Sequence, residues 1–482
     1  MKSTFTPALS RRGFLAGSAA AGAAFSLQPA WADTQRVFTL RAAPGRARLV
    51  PEPWGESDVW CYGGTVPGPE IRVRQGDRLR IAVENALEED TTVHWHGLRV
   101  SNAMDGVPHL TQAPIAPGET FTYEFDAVDA GTFWYHPHQR SFEQVGRGLY
   151  GPLIIEEANP PRVDRELVWV LDDWRLTQEA EIDDSFGGFH DMSHGGRLGN
   201  TVTINGRVPG AEPVRAGERV RLRLINAANA RIFALDFGEL APQVIALDGQ
   251  PVTPHAPQDA RGWVVIGPAM RVDLMLDMTG APGETVTVID RFFSDRNYEL
   301  VDLTYSETPL RDAPPNWEMA LAPNPLPEPD IGQARRHEVI FTGGMMGGMV
   351  ERQMGLSGRG GMMGGGMMNR MHDGGIWFVN GVAAEGHILD PMLVLARDAS
   401  HVIAMTNATA FHHPIHLHGH SFRVINRNGV PTAHHEWQDT VLMAPRERVE
   451  IAFVADNPGD WMFHCHILEH QAGGMMGVIR VA

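Results

Sequence analysis

The sequence has little cysteine, no long hydrophobic run beyond its first 32 residues and too few bases to balance its acids. Two cysteines, Cys61 and Cys465, among 482 residues nearly exclude a disulfide framework. No later stretch approaches the ~20 apolar residues of a membrane-spanning helix, so no membrane span is expected. With 40 Lys and Arg against 58 Asp and Glu, the net charge is −18, which argues against nucleic acid as a partner because phosphates repel such a surface.

Histidine and methionine are instead abundant, with 22 of each, and this excess beside two cysteines points to metal binding. Hydrophobic residues make up 43% and charged residues 20%, a balance typical of a globular protein and not of a disordered or fibrous one. With 52 Gly and 34 Pro and few helix-forming runs, the chain is expected to be all-β and rich in turns.

The first 32 residues resemble a twin-arginine export signal. The pair Arg11-Arg12 precedes a small, apolar stretch at 16–27, and the AWA sequence ending at Ala32 fits a cleavage site. An Ala-rich N-terminal helix is the alternative. Cleavage would remove three bases and no acids, leaving 37 bases against 58 acids and a net charge of −21. We therefore expect export to a bacterial periplasm by the twin-arginine machinery.

A β unit of similar length recurs three times. Alternating stretches such as 78–83 are typical of strands with one buried face. The repeat predicts a tripled β-sandwich, with domains at 33–158, 159–318 and 319–482. In each copy a turn residue is followed nine positions later by the asparagine that ends such a strand: Gly76 and Asn85, Gly217 and Asn226, Asp398 and Asn407.

Residues 343–371 interrupt this pattern with nine methionines set among glycines. No helical or strand period is visible, and glycine makes a fixed backbone entropically costly. We expect a mobile insertion at the start of the third domain that offers thioethers to a substrate copper ion, although an incidentally Met-rich linker is the alternative. The methionines are Met345, Met346, Met349, Met354, Met362, Met363, Met367, Met368 and Met371.

Four pairs of histidines with one residue between them are candidate metal ligands. Residues i and i+2 of a strand point to the same side, so each pair can present two imidazoles to one pocket. Two pairs fall in the predicted first domain and two in the third, which predicts a site at the interface of these domains. The eight residues are His94, His96, His136, His138, His416, His418, His464 and His466.

Cys465 lies between two of these histidines, so its sulfur is expected on the opposite face of the strand. His413, His470 and Met475 are available as its partners. Two imidazoles, a thiolate and a thioether form the ligand set of a blue-copper electron-transfer centre. A single histidine pair more often marks a half-exposed strand, and zinc also takes His and Cys. Zinc, however, needs about four ligands and not twelve.

The stretches HWHG, GTFWYHPH, HHPIHLHGH and HCHILEHQAGGMM resemble the four copper-binding motifs of the multicopper oxidases, in the same order. The resemblance implies three cupredoxin-like Greek-key domains and four copper ions that reduce dioxygen to water with electrons from a donor. It implies a type 1 copper at His413, Cys465, His470 and Met475, and a type 2 copper at His94 and His416. It implies one type 3 copper at His96, His136 and His466, and another at His138, His418 and His464.

Reduction of oxygen consumes protons, so acidic residues near the cluster matter. Asp105, eleven residues after His94, stands where related enzymes carry an acidic residue that feeds the cluster, although a turn aspartate fits equally well. Gln471 replaces a glutamate of many relatives, and an amide does not carry a proton in the same way. Glu469 is a candidate substitute, but we expect it to be solvated or to cap a helix.

The methionine-rich insertion resembles that of periplasmic cuprous oxidases, and thioethers are soft ligands that prefer Cu(I). Those enzymes hold substrate copper with an aspartate and a methionine where this chain has Thr409 and Phe411. Three functions stay open: a cuprous oxidase with laccase-like side activity, which we favour, a laccase for phenols or aromatic amines, and a copper-binding scaffold without enzymatic activity. The chain is expected to be a monomer.

Overall fold

The computed structural model describes residues 35–356, 375–384 and 390–482. The predicted export signal lies outside the described residues, as do the methionines at 362, 363, 367, 368 and 371. Across the described ranges, β-strands dominate and form three successive pairs of sheets, as expected for an all-β chain. No helix in these ranges is long and apolar enough to span a membrane.

The first pair of sheets extends from residue 35 to residue 156. Its strands are β1 (Gln35–Ala47), β2 (Ser57–Tyr62), β3 (Ile71–Arg74), β4 (Arg78–Asn85), β5 (His94–His96), β6 (Thr120–Asp126), β7 (Gly131–His136) and β8 (Gly151–Glu156). The strand orders are β2-β1-β4-β6 and β3-β8-β7-β5, with β1 parallel to β4 and β3 parallel to β8. The predicted alternation of β4 is confirmed, because Leu79, Ile81 and Val83 are buried in the core of this sandwich.

The second pair of sheets extends from residue 165 to residue 305. Its strands are β9 (Arg165–Trp174), β10 (Thr201–Ile204), β11 (Ala211–Val214), β12 (Arg219–Asn226), β13 (Phe233–Asp236), β14 (Gln243–Leu247), β15 (Gln250–His255), β16 (Val264–Ile266), β17 (Arg271–Asp277), β18 (Thr285–Asp290) and β19 (Tyr298–Tyr305). The orders are β10-β9-β12-β17-β14-β15 and β11-β19-β18-β13-β16. In the central strand β12, Leu222 and Leu224 face the core, whereas Arg221 forms buried ion pairs with Glu157 and Asp273.

The third pair of sheets extends from residue 335 to residue 481. Its strands are β20 (Arg335–Gly343), β21 (Trp377–Val379), β22 (Leu393–Leu395), β23 (Ser400–Asn407), β24 (His413–Leu417), β25 (Phe422–Arg427), β26 (Val430–Pro431), β27 (Trp437–Gln438), β28 (Thr440–Met443), β29 (Arg448–Val454), β30 (Gly459–Cys465) and β31 (Met476–Val481). The orders are β21-β20-β23-β29-β25-β26, with β27 on β25, and β22-β31-β30-β24-β28. The exact domain boundaries stay a prediction.

The repeated asparagine closes an equivalent turn in each sandwich. Asn85, Asn226 and Asn407 end β4, β12 and β23, and the main-chain N–H two residues later donates to each side-chain oxygen at 3.0 Å. Each side-chain amide donates to one carbonyl close in sequence and to another from a distant segment. At least three hydrogen bonds from each of these buried asparagines explain why the residue recurs at the same place.

The helices within the described residues are short, and one of them corrects an expectation. They are α1 (Ser141–Gln144), α2 (Phe189–Ser193), α3 (Gly347–Gln353) and α4 (Leu468–Ala472), with a 3₁₀ turn at Asn102–Met104. The methionine-rich segment was expected to lack regular structure, yet α3 lies within it. Val350 is fully buried, and the Met345 N–H donates to the Ser193 carbonyl at 2.8 Å. This tertiary anchoring is invisible in a glycine-rich sequence.

Candidate metal centres

Strand β30 ends at Cys465, which His464 precedes and His466 follows, and the strand pairs antiparallel with β24. His416 lies opposite His464, and Ile415 lies opposite Cys465. Because directly opposed residues share one face of a sheet, His416 lies on the side of His464. His413, two residues before Ile415, lies on the side of Cys465. The sulfur and the neighbouring imidazole thus face opposite ways, as the alternation of a strand predicts.

Cys465, His413 and His470 form a buried cluster on one side of β30. The Sγ atom lies 3.5 Å from Nδ1 of His413 and 3.7 Å from Nδ1 of His470, and the two Nδ1 atoms are 3.0 Å apart. Met475 is fully buried and lies next to this cluster, because its carbonyl accepts the Cys465 N–H at 3.0 Å. Helix α4 turns the chain back after β30, which returns His470 to the cysteine.

The outer nitrogens of both imidazoles in this cluster are hydrogen-bonded. Nε2 of His470 donates to the His194 carbonyl at 2.6 Å, so its Nδ1 presents a lone pair to the sulfur. The Thr409 hydroxyl lies 2.8 Å from Nε2 of His413 and donates to the Asn407 side-chain oxygen at 2.8 Å, so Nε2 of His413 carries the proton. Two lone pairs at 3.0 Å repel unless a cation lies between them.

Burial determines the protonation of this cluster. Burial raises the pKa of the Cys465 thiol and lowers the pKa of the His470 imidazole to about 3. A metal ion takes a neutral imidazole directly and displaces the thiol proton when it binds. The donor set therefore suits a soft or borderline transition-metal ion.

The other eight histidines meet on the opposite side of β30. In the first sandwich, β5 pairs with β7, which places His94 opposite His136. The rings of His94 and His418 stack with centroids 3.9 Å apart, and those of His96 and His416 stack at 3.8 Å. These contacts join the first and third sandwiches. The eight residues therefore lie at the interface of these two sandwiches, where the sequence predicts them.

Distances within this eight-histidine cluster fit several metal ions. The Nε2 atoms of His418 and His464 are 3.1 Å apart, and those of His136 and His466 are 3.3 Å apart. With metal–nitrogen bonds of about 2 Å, two ligands of one ion lie about 3–3.5 Å apart. Triads of ligand atoms close enough for one ion include His94/His138/His418, His94/His96/His416, His96/His136/His466 and His416/His418/His464 in this cluster, and His413/Cys465/His470 in the cysteine cluster.

Buried ring nitrogens without partners support the same conclusion. Nε2 of His94, Nε2 of His416 and both ring nitrogens of His138 have no hydrogen-bond partner within the described residues. Burial and neighbouring rings lower the pKa of His138 and His136 well below the ordinary value. Neutral imidazoles with unpaired nitrogens are the form that binds metal.

Profiles of the multicopper oxidase family match residues 47–160, 165–303 and 364–482. This chain belongs to the multicopper oxidase family. The oxidase is 32% identical to multicopper oxidase MmcO of Mycobacterium tuberculosis, over 97% of this chain and 95% of that protein. Copper resistance protein A of Pseudomonas syringae pv. tomato is 29% identical over 66% of this chain and 59% of its own length.

Solved structures agree with this membership. The multicopper oxidases of Pseudomonas thermotolerans and Pseudomonas parafulva superpose with TM-scores of 0.80 and 0.79 at 33% and 35% identity. The superpositions cover 93% and 92% of this chain and 100% of each solved chain. The prediction of three cupredoxin-like sandwiches is confirmed, and the chain is an oxidoreductase with copper as its cofactor.

Two buried aspartates hold the eight-histidine cluster of the oxidase in place. Oδ2 of Asp105 accepts from Nδ1 of His418 at 2.9 Å, and the Asp105 carbonyl accepts from Nδ1 of His94 at 2.7 Å. Asp439 lies on the other flank, with its carbonyl 2.8 Å from Nδ1 of His416. Fixing the outer nitrogen of an imidazole orients the inner one for metal binding.

Sequence reasoning missed Asp439 and the residues that hold it. Arg271 of the second sandwich donates to Oδ1 of Asp439 at 2.9 Å, and the Asp439 N–H donates to Asp248 at 3.1 Å. The arginine lowers the pKa of Asp439, whereas burial and Asp439 raise the pKa of Asp248 to about 7. No sequence pattern marked Asp439; its neighbour Thr440 lies opposite His416 in the β24–β28 pair, which only the structure shows.

Glu469 corrects a second expectation, because its carboxyl is neither solvated nor a helix cap. The side chain is fully buried, Asn229 donates to Oε1 at 3.0 Å, and Oε2 has no partner within the described ranges. Burial raises the pKa of this carboxyl. Helix α4 packs against α1 and α2, so segments of all three sandwiches cover Glu469. In the sequence alone this residue resembles one on an exposed helix. Gln471 accepts from the Ser141 hydroxyl at 3.3 Å.

Of the four described methionines of the insertion, Met345 contacts the end of α2 through its main-chain N–H, Met349 lies in α3, and Met346 and Met354 flank α3. Met346 and Met349 are 50% and 39% exposed, whereas Met345 and Met354 are half-buried. Phe411 packs edge-on against Trp377, at 5.8 Å between centroids. The two departures from cuprous oxidases, Thr409 and Phe411, therefore orient His413 and fill space over the site.

Proposed function

We propose that this oxidase takes electrons one at a time at the Cys465 cluster and passes four of them to dioxygen, which becomes two waters at the eight-histidine cluster. One observation carries the proposal: a single strand presents a sulfur to one cluster and His464 to the other. Electrons accepted on one side thus have a route of a few covalent bonds to the other. When bound, the coppers supply one-electron storage and the site of oxygen binding.

We assign four coppers to these residues. The type 1 ion has His413, Cys465, His470 and Met475, and the type 2 ion has His94 and His416. One type 3 ion has His96, His136 and His466, and the other has His138, His418 and His464. Two of the triads support parts of this division, since they join His96 to His136 and His466 and place His418 with His464.

The protein's own groups hold the ligands rigid and exclude water. Nε2–H of His413 and Nε2–H of His470 are tied to Thr409 and to the His194 carbonyl, so neither imidazole needs to rotate when an electron arrives. The Ile467 N–H points at the cysteine sulfur at 3.4 Å and favours its thiolate form. Full burial of these side chains keeps the surrounding dielectric low.

We propose that Asp105 passes protons towards the oxygen-reducing site. Its buried carboxylate contacts His418 and His94 at once, and a carboxylate in that place accepts or releases a proton without large movement. Glu469 is the second candidate, because its buried carboxyl has an oxygen without a partner in the described ranges.

We further propose that Cu(I) is the favoured donor, with laccase-like oxidation of phenols or aromatic amines as a side activity. The exposed thioethers of Met346 and Met349, the chemistry of the insertion and the similarity to a copper resistance protein support this choice. The alternatives are a laccase that uses mainly organic donors and a copper-binding scaffold. The predicted signal supports export to the periplasm, where we expect a monomer.

Oxygen consumption with Cu(I) as donor tests this function. The full-length oxidase and a variant lacking 343–371 would be compared at low Cu(I) and with a phenol. We expect the deletion to lose Cu(I) turnover and keep phenol turnover. Equal Cu(I) rates would contradict the cuprous function, and higher phenol turnover with unchanged copper tolerance would favour the laccase. If the intact protein and the Cys465→Ser variant both bound copper and neither consumed oxygen, the result would favour the scaffold.

A further inference from the structure

The outer edge of His470 is covered by the second sandwich and not by solvent. Its Nε2–H donates to the main-chain carbonyl of His194 at 2.6 Å, at the end of α2. Trp377 lies over the imidazole with centroids 4.3 Å apart, and its indole N–H donates to the Met192 carbonyl at 2.6 Å. An electron that reaches His470 from this side therefore passes α2.

Two histidines lie at this point, the exposed His190 within α2 and the half-buried His194 directly after its last residue. The rings of His190 and His194, four residues apart, stack with centroids 4.2 Å apart. Nδ1 of His194 lies 3.0 Å from the His190 carbonyl, and because a carbonyl only accepts, Nε2 of His194 keeps a free lone pair. His190 is exposed, and its ring nitrogens have no hydrogen bond within the described residues. Two histidines four residues apart whose rings lie this close can bind one metal ion together.

Methionines lie within and beside the same helix. Met192 lies between the two histidines, and the Met345 N–H donates to the Ser193 carbonyl, which holds the start of the methionine-rich segment against α2. Phe411 approaches His194 edge-on at 6.0 Å between centroids. The third sandwich therefore offers an aromatic ring here, and the second sandwich offers imidazoles.

We propose that His190 and His194 form the docking site for Cu(I). This proposal rests on the proposed cuprous activity. Cu(I) held there gives up one electron and becomes Cu(II). The electron would cross the hydrogen bond that His470 donates to the His194 carbonyl, and the copper that the Cys465 cluster would hold would accept it, going from Cu(II) to Cu(I). No covalent bond forms or breaks, and dioxygen is the final oxidant. The second sandwich, and not positions 409 and 411, thus holds the substrate.

Silver(I), which resembles Cu(I) but is not oxidised, tests the site without turnover. Calorimetric titration of the copper-loaded oxidase would compare wild type with a His190→Gln, His194→Gln double variant. His337→Gln is the matched control, because His337 and His401 hydrogen-bond each other at 3.0 Å in place of facing outward. Methionines also bind Ag(I), so the difference between proteins is the measure. We expect the double variant alone to lose one Ag(I) equivalent.

Kinetics then separate docking from electron transfer. In the double variant we expect KM for Cu(I) to rise at least about tenfold, a larger factor than any change in KM for ferrocyanide, which needs no soft-ligand site. Equal Ag(I) binding in all three proteins, or an unchanged KM for Cu(I), would overturn the docking site. If the double variant loses the Ag(I) equivalent but even wild type does not oxidise Cu(I), the cuprous function fails and the soft-cation site stands.

Discussion

The two histidine clusters differ in what holds their outer ring nitrogens. In the Cys465 cluster the partners are neutral, a main-chain carbonyl for His470 and the Thr409 hydroxyl for His413. In the eight-histidine cluster the partners include two buried carboxylates, Asp105 and Asp439. Neutral partners fix orientation alone, whereas carboxylates also add negative charge and can take up protons.

This difference matches the chemistry proposed for each cluster. Passing an electron requires rigid ligands and little else, and the cysteine cluster is built mostly from one sandwich. Reducing oxygen also requires protons and several metal ions held together, and the eight-histidine cluster joins two sandwiches through stacked rings. The second sandwich supports both, through His194 on one side and Arg271 on the other.

Replacing Cys465 should give the largest effect, because it removes a ligand from one cluster and leaves the other cluster's ligands in place. In Cys465→Ser we expect copper content to fall from about four to about three ions per chain, because only the mononuclear site loses its thiolate. Oxidase activity should fall to background, since donors lose their entry point. Elemental analysis and oxygen uptake measure this. A variant that loses all its copper would show that the clusters do not load independently.

Removing copper should make the Cys465 cluster sensitive to acid, in addition to the acid sensitivity that the buried His420 confers with or without copper. Burial lowers the pKa of His470 to about 3 and of His420 to about 4, below the ordinary value of about 6.5. Between these values the unfolded chain binds protons that the folded chain does not. The stability of the copper-free protein therefore falls as pH drops from about 6.5 towards 4, by about 1.4 kcal/mol per pH unit for each such histidine.

Urea unfolding at several pH values measures this acid loss. Bound copper should suppress the part of this stability loss that comes from the ligand histidines. It should not suppress the part that comes from His420, which is outside both proposed ligand sets. A His420→Gln variant should therefore show a shallower acid limb by about one proton, with and without copper. Identical acid profiles for copper-loaded and copper-free protein would contradict the prediction.

Asp439→Asn should show that the two carboxylates of the eight-histidine cluster contribute differently to the free energy of unfolding. Arg271 is completely buried, and removing one partner of a buried ion pair costs about 3–5 kcal/mol. Asp105→Asn is the matched control, because the new amide oxygen still accepts from His418 and no ion pair with arginine is recorded for Asp105 in the described ranges. We expect it to cost only about 1 kcal/mol. Equal losses in urea unfolding of the copper-free proteins would contradict this distinction.

Thr409→Val should give the smallest effect. It tests the neutral hydrogen-bond partner of His413 in the Cys465 cluster. The change leaves the Nε2–H of His413 without its acceptor, at a cost of about 1–3 kcal/mol. We expect a shifted reduction potential for the type 1 copper, with the copper content unchanged. Thr409→Ser keeps the hydroxyl and should resemble wild type in redox titration. A potential that is equal in all three proteins would show that Thr409 has no effect on the type 1 copper.

Local pattern accounts for much of the fold and the ligands. The i, i+2 spacing of His464, Cys465 and His466 predicted two opposed faces, and the nine-residue interval ending at Asn85 predicted a repeated turn. Both depend on contacts between neighbours in sequence, whose direction follows from strand geometry.

The surroundings of the ligands were harder to predict. Glu469 resembles an exposed helical residue, but helices from two other sandwiches cover it. Asp439 and Arg271 belong to different sandwiches, and neither lies in a recognisable motif. The partner of His470 is a main-chain carbonyl of His194, and a carbonyl is present at every residue, so no sequence pattern marks it.

By itself the sequence determined the strands, the tripled unit and the twelve candidate ligands, because alternation and spacing are encoded between near neighbours. Tertiary structure alone decided which imidazoles stack across the sandwiches, which aspartates hold them and which helix covers His470. Those choices depend on how separately folded sheets pack against one another, and packing brings together atoms that lie hundreds of residues apart.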